Sequence, residues 1–351
     1  MSTPLSPSFD SEARGSCSPA RDSHESRPRA PFAVAVALMS ALIALTSCAA
    51  APPSTGPTIQ PSVPRLPASP DSGAGSFPVT VTDDEGTSVA IPERPERIVS
   101  LTPGTTEILF AIGAGDRVVA TSDADDYPAE AVPLPDVASF GSVDLERILE
   151  LEADLVLAGG LEYTPSAAIW TLRSLDVPVV VVYAASIAGV LADIELIGEA
   201  VGSEREARSL VDEMRTEIDA LSAAVEDLPR PRVFYEIDAS VGVYGPADDS
   251  FLAEMIRLAG GEPITTGSSL SFEIPLERLV AADPQVIVLG DAAFGVTPEQ
   301  VAKRPGWEQM TAVQKGAVRV VDDKLVTRPG PRLAQGLRSL VLAIHPDASL
   351  P

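Results

Sequence analysis

From residue 77 onward the chain alternates between short apolar runs and longer stretches in which apolar residues recur every three or four positions. "FPVTVTDDEGTSVAIP" sets two alternating runs around "DDEG", which predicts a β-hairpin. Strand-like runs follow at 97–101, 117–122, 154–159 and 177–184, separated by helical patterns such as "TTEILFAIG" and "SAAIWTLRSL". Apolar strands alternating with helices predict a parallel sheet covered by helices. The same grammar returns after residue 231 in "RVFYEID", "QVIVLG" and "AVRVVD", spaced by "SFLAEMIRLAGG" and "PLERLV". The expected fold class is α/β, with two α/β lobes over 77–202 and 229–351, each built on a mostly parallel central sheet.

Between the lobes lies "GSEREARSLVDEMRTEIDALSAAVEDLPRP". Ser203 and Glu206 fit a capping box, and Ala207, Leu210, Val211, Met214, Ile218, Leu221, Val225 and Leu228 keep helical spacing until Pro229 stops it. The connector over 203–228 is therefore read as one rigid helix, about 37 Å long if 204–228 are all helical. A long helix resists bending, so the lobes are expected to open and close only slightly.

The lobes also echo each other. "VDLERILELEADLVLAGG" (143–160) aligns without a gap on "IPLERLVAADPQVIVLGD" (274–291), pairing Glu146 with Glu277 and Glu152 with Asp283. Taken alone, each glutamate of the "LER" pair is equally well read as a first-turn residue favourable to the helix dipole.

Composition narrows the chemistry. The formal charge of -25 comes from 50 acidic against 25 basic residues, which argues against nucleic acid as a partner. The two cysteines, Cys17 and Cys48, precede any fold signal, so the lobes have neither a disulfide framework nor a thiolate metal site. One histidine, His345, lies in the globular part, too few for a histidine metal cage, and it reads as the C-terminal residue of a helix. No metal ligand set and no cofactor are expected.

The N-terminus reads as an address. "PFAVAVALMSALIALTS" (31–47) is uncharged and follows Arg27 and Arg29. At 17 residues before an Ala/Pro/Ser-rich run it is short for a membrane span, and it fits a signal-peptide core. The alternative is an N-terminal membrane anchor. Residues 49–76 are dense in Pro, Ser and Gly and cannot bury enough surface to fold, which predicts a disordered tether.

"PERIVSLTPGTTEILFAIGAGDRVVATSDADDYPAEA", "LPDVASFGSVDLERILELEADLVLA" and "VTRPGPRLAQGLRSLVLAIHP", in this order over about 77–346, resemble the cobalamin and ferric-siderophore solute-binding proteins of ABC importers, the class with a helical backbone between the lobes. "LTSC" (45–48) likewise resembles a bacterial lipobox, implying a signal peptide with lipobox over 1–48 and a mature chain that begins at a lipid-bearing Cys48. The resemblance implies an extracytoplasmic, lipid-anchored monomer with its ligand cleft between the lobes, delivering to a permease dimer with its ATPase. It further implies that Glu146 and Glu277, one per lobe, dock into arginine pockets on the two permease subunits.

In open α/β sheets ligands gather beyond the carboxyl ends of the strands. That rule selects Tyr127 in "SDADDYP", Phe140 in "ASFGS" and Tyr163 in "GGLEY" from the first lobe. From the second it selects Tyr244 in "VGVYG", Phe272 in "SLSF", Phe294 in "GDAAF" and Arg328 in "DDKLVTRPG". Aromatic faces suit a bulky ring system, and an arginine suits carboxylate, phosphate or catecholate oxygens. The best-known cobalamin binder carries cleft tryptophans where this chain has Phe140, Gly159 and Ser271, and a tyrosine where it has Ala124. Cobalamin leads, with a ferric siderophore next. Haem is third, through Tyr127, Tyr163 or Tyr244 as tyrosinate ligands.

The rival class is an extracytoplasmic enzyme using Asp123, Asp125 and Asp126 as acid, base or cation ligands. No "GxSxG", "HExxH" or "GxxxxGK[ST]" motif completes such a site, and "GAGD" (113–116) follows a helix, so it reads as a turn. The expectation is a binding protein and not an enzyme.

Overall fold

A computed structural model of the chain describes residues 76–160 and 164–351. The expected signal peptide, Cys48 and the expected tether up to residue 75 lie outside the described residues. The strands are β1 (Val79–Thr82), β2 (Ser88–Ile91), β3 (Ile98–Ser100), β4 (Val118–Ser122), β5 (Asp136–Ser139), β6 (Ser142–Val143), β7 (Leu155–Ala158), β8 (Val179–Val181), β9 (Arg232–Glu236), β10 (Glu262–Pro263), β11 (Val286–Leu289) and β12 (Val318–Val320). The helices are α1 (Pro103–Ala111), α2 (Leu145–Glu150), α3 (Ser166–Ser174), α4 (Ile187–Val201), α5 (Glu204–Ala223), α6 (Phe251–Leu258), α7 (Leu276–Ala282), α8 (Pro298–Val301), α9 (Thr311–Gln314), α10 (Asp323–Thr327) and α11 (Leu333–Ile344).

β1 and β2 form the antiparallel hairpin, closed by Asp83, whose Oδ1 accepts from the backbone N–H of Thr87 at 2.8 Å. The first lobe holds a six-stranded sheet in the order β6-β5-β4-β3-β7-β8, parallel except for the edge strand β6. The second holds a four-stranded parallel sheet, β10-β9-β11-β12. Leu155 to Ala158 and Val286 to Leu289 are buried throughout, as continuous apolar strands must be when helices cover both faces.

The connector departs from expectation in two ways. α5 ends at Ala223, giving 20 residues and about 30 Å of helix. From Ala223 to Leu228 the bonds tighten to a three-residue step, such as Glu226 N–H to the Ala223 carbonyl and Leu228 N–H to the Val225 carbonyl. That bend draws Val225 into the core against Gly260. The capping box also does not form. Ser203 sits at ψ 35 with no side-chain cap, because Gly202 (φ 67) turns α4 into α5 over only two residues and leaves Ser203 buried between them. Glu206 instead accepts from Arg205.

Stiffness between the lobes comes from more than one helix. Ile98, Ile108 and Val180 of the first lobe, Val211, Met214 and Ile218 of α5, and Val233, Val288, Leu337 and Val341 of the second belong to one continuous apolar cluster. α4 and α11 pack along α5, and Gly198 makes this possible: a Cβ there would lie 2.4 Å from the Ala207 Cβ. Each sheet has a second, separate cluster on its other face. His345 caps α11, as its place in the sequence suggests, with its Nε2 3.2 Å from the Gly260 carbonyl oxygen.

Candidate functional site

The segment after β12 in the second lobe reaches the segments that follow β3 and β4 in the first. α1 starts just beyond β3 and approaches so closely that a Cβ on Gly104 would lie 2.6 Å from the Pro329 carbonyl oxygen. Glu107 of α1, its side chain 1% exposed, accepts from Arg332 Nε at 2.8 Å and Nη2 at 2.5 Å, and from Arg328 Nη1 at 3.3 Å. Arg328 also donates to Asp126 Oδ1 at 2.6 Å and to the Ala124 carbonyl at 3.2 Å, while Lys324 donates to the other oxygen of Asp126. The Arg332 guanidinium lies 4.1 Å from the centre of the Tyr127 ring. These contacts bridge the two lobes beyond the carboxyl ends of β3, β4 and β12.

Electrostatics follow from that geometry. Partial burial alone would raise the Asp126 pKa, but hydrogen bonds from Lys324 and Arg328 win and hold it below the ordinary carboxylate value. Its neighbour Asp125 goes the other way, because burial outweighs its bonds from Ser122. Arg332 is pushed above its usual value by its bonds to Glu107.

Other loops at the carboxyl ends of the strands carry exposed aromatic and apolar side chains. Tyr127 is half exposed, with its ring against Arg332. Tyr244 bridges Asp238 and Glu273, and the Phe272 carbonyl accepts from Gly245 N–H at 2.9 Å, so Tyr244 and Phe272 share one small platform. Phe140, at the turn between β5 and β6, is 87% exposed, and Phe294, closing the short helix Asp291–Phe294, is 89% exposed. Tyr163 lies outside the described residues. The structure thus brings Tyr127 and Arg328 together, and Tyr244 and Phe272 together, while Phe140 and Phe294 stand apart on their own loops. Three further exposed side chains belong to these loops and escaped the sequence reading: Tyr183 just beyond β8, with its ring on Gly160, and Val241 and Leu270 in the second lobe. The strand-end rule itself could have found Tyr183. Glu107, Lys324 and Arg332 were missed for want of any local signal.

In the second lobe, Glu236 at the end of β9 is fully buried and takes Arg304 on both oxygens, at 2.5 and 2.9 Å. Asp291 is 4% exposed and neither of its carboxyl oxygens has a donor. Burial and the nearby Glu236 push its pKa up to about 7. Among the described residues no group of three or more His, Cys, Asp and Glu could hold a metal ion, and no helix is long and apolar enough to cross a membrane. A groove along α5 and α11, lined by Glu213, Glu217 and Arg338 among others, carries none of the aromatic loops.

Glu146 and Glu277 occupy the first turns of α2 and α7, both exposed and both without an ion pair among the described residues. The aligned Glu152 and Asp283 both take left-handed backbone, φ 50 and φ 47.

Set beside known proteins, residues 98–325 match the family model of the periplasmic binding protein. The chain is 35% identical over 276 residues to the uncharacterized ABC transporter substrate-binding lipoprotein YvrC of Bacillus subtilis, covering 77% of this chain and 87% of that one. It is 30% identical over 284 residues to a cobalamin-binding protein of Halobacterium salinarum, covering 78% and 75%. Its fold matches the solved periplasmic heme-binding protein RhuT of Roseiflexus sp. RS-1 with a TM-score of 0.64 at 25% identity, over 72% of this chain and 99% of that one.

Proposed function

This chain belongs to the periplasmic binding protein family, as a solute-binding protein of an ABC importer, and we propose that it captures a corrinoid outside the cytoplasm and hands it to a permease dimer driven by its ATPase. The observation that carries this reading is the exposure of Tyr127, Phe140, Tyr183, Phe272 and Phe294 on carboxyl-end loops of both lobes. Exposed rings are costly in water unless something flat covers them, and a macrocycle held between two lobes would do so. The cobalamin-binding relative, at 30% identity, supports a corrinoid over haem, for which the similar structure stands at 25%. A ferric siderophore would use the same rings together with Arg328.

In this reading Cys48 carries the lipid, residues 49–76 tether a monomeric receptor to the outer face of the membrane, and Glu146 and Glu277 meet cationic sockets on the two permease subunits. The first-turn position of both glutamates leaves their carboxylates free for bidentate arginine contacts.

Titration calorimetry with cyanocobalamin, ferric catecholate, ferric hydroxamate and haem tests the reading. Submicromolar binding of cyanocobalamin is expected, weakened by Phe140→Ala. Failure to bind any of the four rejects it.

A further inference from the structure

Two acids hold the cations that bridge the lobes, and they differ in how firmly they are placed. Glu107 is buried, and both its oxygens are committed to Arg332 and Arg328. Asp126 has a side chain 42% exposed and sits on the loop after β4. Withdrawing Glu107 would leave two arginines, 16% and 17% exposed, without their buried counter-charge. Withdrawing Asp126 leaves Arg328 its bond to Glu107 at 3.3 Å and leaves Lys324 half exposed to water, and a half-exposed ion pair such as Lys324–Asp126 contributes little. The two acids are therefore unequal: one is structural and the other replaceable.

What Asp126 covers is a pair of donors converging from one side. Lys324 Nζ and Arg328 Nη1 bind its two separate oxygens, the geometry with which a carboxylate, a phosphate or a catecholate would be held. Arg328 keeps its bond to Glu107 while doing so, which fixes the direction of its fork. We infer that Lys324 and Arg328 form an anion-binding subsite in the cleft, occupied in the ligand-free protein by Asp126, and that an anionic oxygen pair on the solute takes the place of Asp126. Asp126 is then a built-in competitor that sets how strongly an anion must bind to enter. This rests on the cleft being the solute site, and it adds Lys324 and Asp126 to the residues that decide which solute is accepted.

The subsite can be read without the natural solute, using inorganic phosphate as the probe at constant ionic strength. Asp126→Asn should bind phosphate about tenfold more tightly than the unaltered protein, because a competing and repelling charge is gone. Adding Lys324→Gln should return the affinity to the starting value or below. Asp126→Ser serves as a second variant, with thermal melts to show that both are folded. A ferric catecholate should gain with Asp126→Asn while a ferric hydroxamate should not, and cobalamin, with its phosphodiester, should gain where cobinamide does not. Equal phosphate binding with and without Asp126, or a gain that survives Lys324→Gln, overturns the subsite. The phosphate result stands whether or not any solute of the calorimetry panel binds, so the two readings fail separately.

Discussion

The two lobes hold their helix-turn-strand units with the same fixings. In the first, Arg97 Nε donates to the Leu151 carbonyl at 2.5 Å and its backbone N–H to Asp154 Oδ1 at 2.9 Å. In the second, Arg232 Nε donates to the Ala282 carbonyl at 2.8 Å and its backbone N–H to Gln285 Oε1 at 3.1 Å. Leu151 and Asp154 are the residues that the alignment of 143–160 on 274–291 pairs with Ala282 and Gln285. What surrounds those fixings differs. α2 is capped by Asp144 and α7 starts on Pro275. Arg147 pairs with Glu150 on the surface, whereas Arg278 turns under the 265–267 loop to the Thr266 carbonyl. The sheets have six and four strands, and the carboxyl-end loops share no residue pattern. A two-fold partner constrains the outer helices equally in both lobes, whereas a solute without two-fold symmetry leaves the facing loops free to diverge.

The largest effect should come from breaking the shared part. Glu146→Arg with Glu277→Arg should reduce uptake to background while solution affinity for the solute stays unchanged, since like-charge contacts at an interface cost several kcal/mol. Each single reversal should do less. Uptake that survives the double change, or affinity that falls with it, would leave the echo as no more than a trace of duplication.

Next in size is the clasp that joins the lobes. Glu107→Ala strands Arg328 and Arg332 and should cost about 3–5 kcal/mol in urea denaturation. Glu236→Ala, which strands Arg304 within the second lobe alone, should cost a similar amount. Only Glu107→Ala should also loosen the lobes, seen as a larger radius in small-angle scattering. If both variants scatter alike, the shared core around α5 holds the lobes without help from the clasp.

Each lobe also buries one carboxyl beside a second: Asp193 next to the exposed Asp84, and Asp291 next to the buried Glu236. Burial and Asp84 push Asp193 up to about 8, and burial and Glu236 push Asp291 up to about 7. Both native pKa values lie above the unfolded value near 4. The native state therefore holds protons that the unfolded chain releases, and the stability they give is complete below about pH 4 and lost as pH rises through 7 to 8. Asp193→Asn or Asp291→Asn should flatten that decline in urea midpoints measured between pH 5 and 9. An unchanged slope in both would contradict the raised pKa values.

The smallest effects on folding belong to the tips. Phe140→Ala and Phe294→Ala should leave the melting temperature within about 1 °C, since both rings are exposed and such surface changes are usually small. Their effect should appear in solute affinity alone.

The sequence carried the hairpin, the two lobes and the outer frame because each rests on a local period. It hid β5 and β6, where "DVASFGSV" mixes small residues with half-exposed positions at a sheet edge. It also overran α5, since Val225 and Leu228 keep helical spacing although the backbone has already tightened and turned. Tyr183 was absorbed into a strand pattern that ends two residues earlier. The clasp could not be read at all: Glu107 and Arg332 are 225 residues apart, and nothing near either names the other.

Native mass spectrometry of the purified protein with an equimolar mixture of cyanocobalamin, ferric catecholate, ferric hydroxamate and haem tests the proposed receptor role most directly. The account predicts one dominant adduct, one cyanocobalamin per chain, that persists when Glu146 and Glu277 are both reversed. No adduct with any of the four, or an adduct with haem alone, would contradict it.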